Sequence, residues 1–338
     1  MRPFIPVFRN AHLLTIAGNF WPRPLDTERF PVRDRYYAIE PGIEILVHEQ
    51  QPQGSPRGQI VLVHGLEGGS DSGYMRSLAQ AALEHGLGVH RFHMRSCGGT
   101  ESRSGNVLYH SGQTGDLKFV TRAIGEEQGG PLFLTGFSLG GNVVLKFVGE
   151  LGEEAIKWID GVCAVSTPIE LGTCARSLER PCNFLYENRF LGRLKDRIRR
   201  KAAFTPGLFR LEDLPKAKTV RDFDDLFTAR CFGFGTAEQY YESQSSGQYL
   251  ERIRIPALLV QAKDDPLIPF EIYSNHPAFQ RNPNLQLLAT EHGGHLGFLS
   301  RSKPRFWLDE TILEFLESLE SGNKQAGEFV PLMGEHAR

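Results

Sequence analysis

Seven short runs rich in β-branched and aliphatic residues alternate with longer stretches of helical spacing, and this rhythm limits the available folds more than any other feature. The runs are IEILVHE (43–49), QIVLVHG (59–65), GVHRFHM (88–94), PLFLTG (131–136), WIDGVCAVS (158–166), IPALLVQA (255–262) and NLQLLATE (284–291). Between them, YMRSLAQAALEHG (74–86), GDLKFVTRAIGEEQ (115–128) and NVVLKFVGEL (142–151) carry helical periodicity, and a final helix is expected near 304–320. Strands joined through helices cannot pair as hairpins. They form a mostly parallel sheet with helices covering both faces, an α/β architecture.

The rhythm stops after residue 168. Residues 169–250 carry amphipathic segments with many Phe, Arg and Leu but few β-branched runs, so they read as a helical cap inserted between two strands. The expected organisation is an N-terminal arm (1–35), a first core part (36–168), the cap (169–250), a second core part (251–322) and a flexible tail (323–338).

Charge narrows the partners. Lys plus Arg total 38 against 40 for Asp plus Glu, which gives no electrostatic case for nucleic acid. The cysteines at 97, 163, 174, 182 and 231 are odd in number and never form a CxxC pair, so neither a disulfide framework nor a zinc ribbon is expected. The N-terminus has prolines at 3, 6, 22 and 24 and no sustained apolar core, unlike a signal peptide. With no run of 18 apolar residues, no transmembrane segment is expected, and a reduced cytoplasmic compartment follows.

One turn concentrates the chemistry. Gly136-Phe137-Ser138-Leu139-Gly140 follows a strand run and precedes a helical one, the setting in which a strained turn lifts a serine hydroxyl off the sheet edge. A serine hydroxyl needs a base, and that base needs a carboxylate to orient it. In this architecture the carboxylate comes next in the chain and the histidine last. KDDPLIP (263–269) and HGGHLGF (292–298) each follow a strand run and meet that order. Asp265 is preferred to Asp264 because a proline follows it four residues later, and His295 to His292 because a Gly-His-apolar sequence suits a tight loop. An oxyanion hole would draw one N–H from Leu139 and a second from Leu66, in the loop after VLVHG.

Other candidates carry less. HGLEGGSDSG (64–73) lacks both GK[ST] and GxGxxG, which argues against nucleotide, and His64 is expected to shape this loop. His90 with His93, and His292 with His295, lack the acidic or cysteine companions of a metal site. RFLGRLKDRIRRK (189–201) reads as a cap helix with its apolar stripe inward and its charges in water; a rest on an anionic membrane is the sharper alternative.

HGLEGGSDSGYMRSL, HMRSCGGT, VLYHSGQTGDL, GFSLGGN, KDDPLIP and EHGGHLGFL, with PFIPVFRNAHLLTI at the start, span nearly the whole chain. In combination they resemble the YheT-like branch of the α/β-hydrolase superfamily, which includes medium-chain ethyl ester synthases. Ser96 and Leu14 depart from that group's pattern. The resemblance implies the α/β-hydrolase fold, with a mostly parallel eight-stranded sheet, helices on both faces and a helical cap. It also implies a serine esterase for short- to medium-chain acyl esters, monoacylglycerols or thioesters among them, or acyl transfer to an alcohol. Ser138, Asp265 and His295 would form its triad, and no cofactor or metal would be required.

Overall fold

A computed structural model describes residues 2–320. The expected tail 323–338 lies outside the described residues, as do 321 and 322. Helix α1 (Ala11–Phe20) precedes strands β1 (Arg33–Glu40), β2 (Ile43–Gln50) and β3 (Gly58–Val63). Then come α2 (Gly73–Glu84), β4 (Leu87–Phe92), α3 (Thr114–Gln128), β5 (Leu132–Phe137), α4 (Leu139–Leu151) and β6 (Gly161–Val165). Helices α5 (Leu171–Leu178), α6 (Phe184–Ala202) and α7 (Ala237–Gln244) lie between β6 and β7 (Ala257–Ala262), with shorter turns among them; β8 (Leu285–Thr290) and α8 (Trp307–Glu320) follow.

The strands form one eight-stranded sheet in the order β1-β2-β4-β3-β5-β6-β7-β8. β1 and β2 pair antiparallel, as do β2 and β4; the other neighbours pair parallel. β1 escaped the sequence reading for a physical reason. Its residues RDRYYAIE form an edge strand largely exposed on both faces, so no apolar run marks it.

Central strands bury both faces, with a period of two. In β3, Val61 and Val63 join the core beneath α3 and α4 with Leu117, Val120, Val144 and Phe147. Ile60 and Leu62 point the other way, into the core of α2 and α8 with Met75, Leu78, Ile312 and Leu316. This two-sided burial explains why the strand runs are continuously apolar, and it fixes which end of the sheet can carry chemistry. The loops after β3, β5, β7 and β8 open at one C-terminal edge, where ligands bind in open α/β sheets.

Candidate active site

The turn between β5 and α4 is sterically determined. Ser138 adopts φ +53°, ψ −122°, strained backbone for a residue with a Cβ. Its N–H is tied to Val165 O of the neighbouring strand at 2.8 Å. A Cβ on Gly136 would sit 2.3 Å from Gly140 O, and one on Gly140 would sit 2.3 Å from Val63 O and 2.5 Å from His64 O. Only glycine lets strand, turn and helix approach this closely.

Three side chains from three loops meet here. His295 Nε2 lies 3.0 Å from Ser138 Oγ, and its Nδ1 lies 2.9 Å from Asp265 Oδ2. The Asp265 carboxylate is held from behind, with Oδ1 accepting the N–H groups of Leu267 (2.9 Å) and Ile268 (3.1 Å). Asp264 and His292 pair with each other instead, at 3.1 Å, and Asp264 also accepts Gly294 N–H at 2.9 Å. Adjacent carboxylates therefore brace one loop twice, and only one of the two pairs reaches the serine.

Helix α1 buttresses the histidine loop. His295 N–H donates to Thr15 Oγ1 at 2.8 Å, and Thr15 in turn donates to Ala11 O at 2.8 Å. Contact is backbone to backbone: a Cβ on Gly297 would meet Leu14 O at 2.3 Å, and one on Gly294 would meet Ala11 O at 2.4 Å. No periodicity in the arm announces this role, because the partners are separated by some 280 residues.

The loop after β3 is locked by the cap. Glu67 stands at φ +53° and is buried. Its carboxylate accepts Arg197 Nε (2.7 Å) and Nη2 (3.0 Å) from α6, and Tyr109 OH at 2.9 Å. Its own N–H donates to Tyr109 OH at 3.0 Å, and its carbonyl accepts Arg193 Nη1 at 3.1 Å. Arg197 also donates to Ser96 O. Burial, with the neighbouring carboxylate, holds the Tyr109 phenol well above its ordinary value and therefore protonated. Leu66, one residue before Glu67, and Leu139, the first residue of α4, both line the cavity that reaches Ser138. The first N–H groups of a helix have no acceptor within it, and Leu139 N–H is one of these in α4.

Basic residues of α6 do not all face water, contrary to the amphipathic reading. Arg197 and Lys201 are buried, and Lys201 Nζ donates to Glu101 O (2.7 Å), Ser104 Oγ (2.8 Å) and Gly105 O (2.6 Å). A helical wheel cannot distinguish solvated cations from cations that meet buried carbonyls. His64 is also buried, with Nδ1 2.8 Å from Gly65 O and Nε2 accepting Met94 N–H at 3.2 Å. Burial pushes its pKa down to about 4, so the ring is neutral in the loop it shapes.

Two cavities converge on Ser138 and His295. One, under the cap, encloses about 930 Å³ of unfilled space, part of it open to solvent, lined by Leu108, Leu171, Leu178, Phe190, Leu194 and Phe223. The second, about 1580 Å³ and also partly open, runs between α1 and α6 past Ile16, Phe20, Leu185, Arg189 and Arg193.

Asp224 lies in the wall of the first cavity and accepts the hydroxyls of Thr228 and Tyr241, each at 2.6 Å. Burial pushes its pKa up to about 6 from 3.8. The fold thus holds a proton there that the unfolded chain releases, so this contribution to stability is present below pH 3.8 and is lost as pH rises through about 6. Urea unfolding from pH 4 to 7 should show Asp224→Asn losing a pH-dependent component on the order of 2–3 kcal/mol. An unchanged slope would contradict this reading of Asp224.

A protein-family model described as the alpha/beta hydrolase fold matches residues 58–302. The chain belongs to the α/β-hydrolase family. Among curated relatives, the hydrolase is 32% identical to YheT of Escherichia coli, whose name proposes an esterase, across 93% of this chain and 92% of YheT. It is 30% identical to the phospholipase ABHD3 of Mus musculus, across 94% of this chain and 75% of that protein. It is 28% identical to a monoacylglycerol lipase of Saccharomyces cerevisiae, across 76% and 58%. An esterase structure from Pyrococcus furiosus superposes with a TM-score of 0.59 at 18% identity, covering 88% of the hydrolase and 96% of that chain. At that identity the likeness speaks to the fold.

Proposed function

We propose that the hydrolase is a serine esterase that cleaves short- to medium-chain carboxylic esters, monoacylglycerols among them, through an acyl-enzyme on Ser138. The observation that carries this reading is the hydrogen-bonded line from Ser138 Oγ through His295 to Asp265, set where two cavities converge. Ser138 Oγ attacks the ester carbonyl carbon while His295 Nε2 takes the hydroxyl proton; Asp265 holds the other ring nitrogen and stabilises the imidazolium. The oxyanion accepts the N–H groups of Leu66 and Leu139. Collapse of the tetrahedral intermediate expels the alkoxide, which takes the proton from His295. Water, deprotonated by the same ring, then releases the acid and regenerates Ser138.

The apolar cavity under the cap suits the acyl chain, and the second, more polar cavity suits the alcohol side. Two cavities also give room for an acceptor other than water, so the same acyl-enzyme supports transfer to an alcohol. Hydrolysis of p-nitrophenyl esters from acetate to palmitate, with mass spectrometry of rapidly quenched enzyme, tests the reading. Activity peaking at short or medium chains, with an acyl adduct on the Ser138 peptide, is expected. Silence on every ester with no adduct would overturn it. The ratio of new ester to free acid at rising ethanol or glycerol measures the share of transfer.

A further inference from the structure

Helix α1 is unusual for an element on the surface. Apart from His12 it has no ionisable side chain, and the first 25 residues contain Arg2, Arg9 and Arg23 but no Asp or Glu. Leu14, Thr15 and Gly18 face inward against the histidine loop. The opposite side presents Leu13 (52% exposed), Ile16 (44%) and Phe20 (69%) at i, i+3 and i+7, where a solvent-facing helix would carry charge.

Across the mouth of the second cavity, the first turn of α6 exposes Leu185 (73%). The two edges touch. His12 stacks on Tyr186 with ring centroids 5.7 Å apart, and its Nδ1 lies 3.1 Å from the Tyr186 hydroxyl. The Arg189 guanidinium lies 5.9 Å from the Phe20 ring centre. Among the described residues neither Arg189 nor Arg193 pairs with a carboxylate, although both line the mouth. The mouth of the cavity that reaches Ser138 is therefore rimmed by exposed apolar side chains, with unneutralised cations among them.

We infer that this rim docks on an anionic phospholipid bilayer, with α1 and the start of α6 lying in the interface and the second cavity opening toward the lipid. The chemistry matches: apolar side chains enter the acyl boundary while Arg189 and Arg193 meet anionic headgroups. Among the described residues no helix is long and apolar enough to cross a membrane, so the contact is one of resting on the surface. The inference rests on the esterase reading only in that the docked mouth would receive its ester from the bilayer.

The test is co-sedimentation with phosphatidylcholine vesicles, with and without phosphatidylglycerol, at low and high salt. The wild type should bind the anionic vesicles, and less so as salt rises. Leu13→Asp, at a residue that lines neither cavity, should weaken binding at least about tenfold, by removing an apolar contact and adding a charge that the anionic surface repels. Turnover of soluble p-nitrophenyl acetate by this variant should stay within about twofold of wild type, since Leu13 is exposed and outside the site. Arg189→Gln should reduce the preference for phosphatidylglycerol.

Absence of vesicle binding, or equal binding by the Leu13→Asp variant, overturns the inference. So does a concentration-dependent dimer in light scattering that the Leu13→Asp variant abolishes, because the rim would then belong to a second copy of this chain. Vesicle binding is read without turnover. Binding by a protein silent on all esters would remove the esterase reading and leave the docking surface, and the reverse result would do the opposite.

Discussion

Ser138→Ala is expected to lower kcat by roughly 10⁶-fold while leaving the unfolding transition in place, because it removes the one atom that would bond to the acyl group. Asp265→Asn should cost about 10⁴-fold, since a carboxamide can present its NH₂ to Nδ1 and trap the ring in the tautomer that cannot accept the serine proton at Nε2. The neighbouring substitution supplies the control. Asp264→Asn alters the pair with His292, which does not reach Ser138, and should leave kcat within about tenfold of wild type. Steady-state kinetics on one soluble ester checks all three. Equal losses at 264 and 265 would mean that the loop, rather than the carboxylate on His295, sets the rate.

Gly140→Ala should be among the most damaging single-atom additions in the protein. The added methyl would lie 2.3 Å from Val63 O and 2.5 Å from His64 O, both backbone atoms of the central β3 and its following loop. Neither can rotate aside, so α4 or β3 must shift, at a cost of about 3 kcal/mol or more. The same shift moves Leu139 N–H relative to Ser138, so activity should fall with stability. Gly192 in α6 is the counterexample, with nothing beyond its own helix backbone within 4 Å of where its Cβ would be. Gly192→Ala should be neutral or stabilise by up to about 1 kcal/mol. Denaturant midpoints of the two variants measured side by side decide the point.

Much of this could be read from the chain because the relevant signals are local. The β3, β5, β6 and β7 runs are apolar on both faces, and a strand buried that way has little freedom to be anything else. The spacing of Gly136, Ser138 and Gly140 records a steric requirement in three letters. The choice between Asp264 and Asp265 came from loop pattern, and the structure directs the two side chains to different histidines. What stayed hidden depends on long separations. Thr15 meets the His295 loop, and Glu67 meets Arg197 some 130 residues away, through contacts with no period and no spacing. Glu67 in HGLEGG looks like one more polar residue in a glycine-rich loop until the cap is folded over it.

That last contact limits how the protein can choose what it processes. Phe190 of α6 walls both cavities, and Arg193 and Arg197 further along the same helix hold Glu67, next to the proposed oxyanion donor Leu66. A ligand admitted only by prising α6 outward would break those bonds and slacken the loop at the moment of attack. Such a molecule would occupy the site and turn over slowly. Bulk would then be penalised twice, in KM for the bonds broken on entry and in kcat for the slackened loop, making α6 a gauge that reads size at the door and again during the reaction.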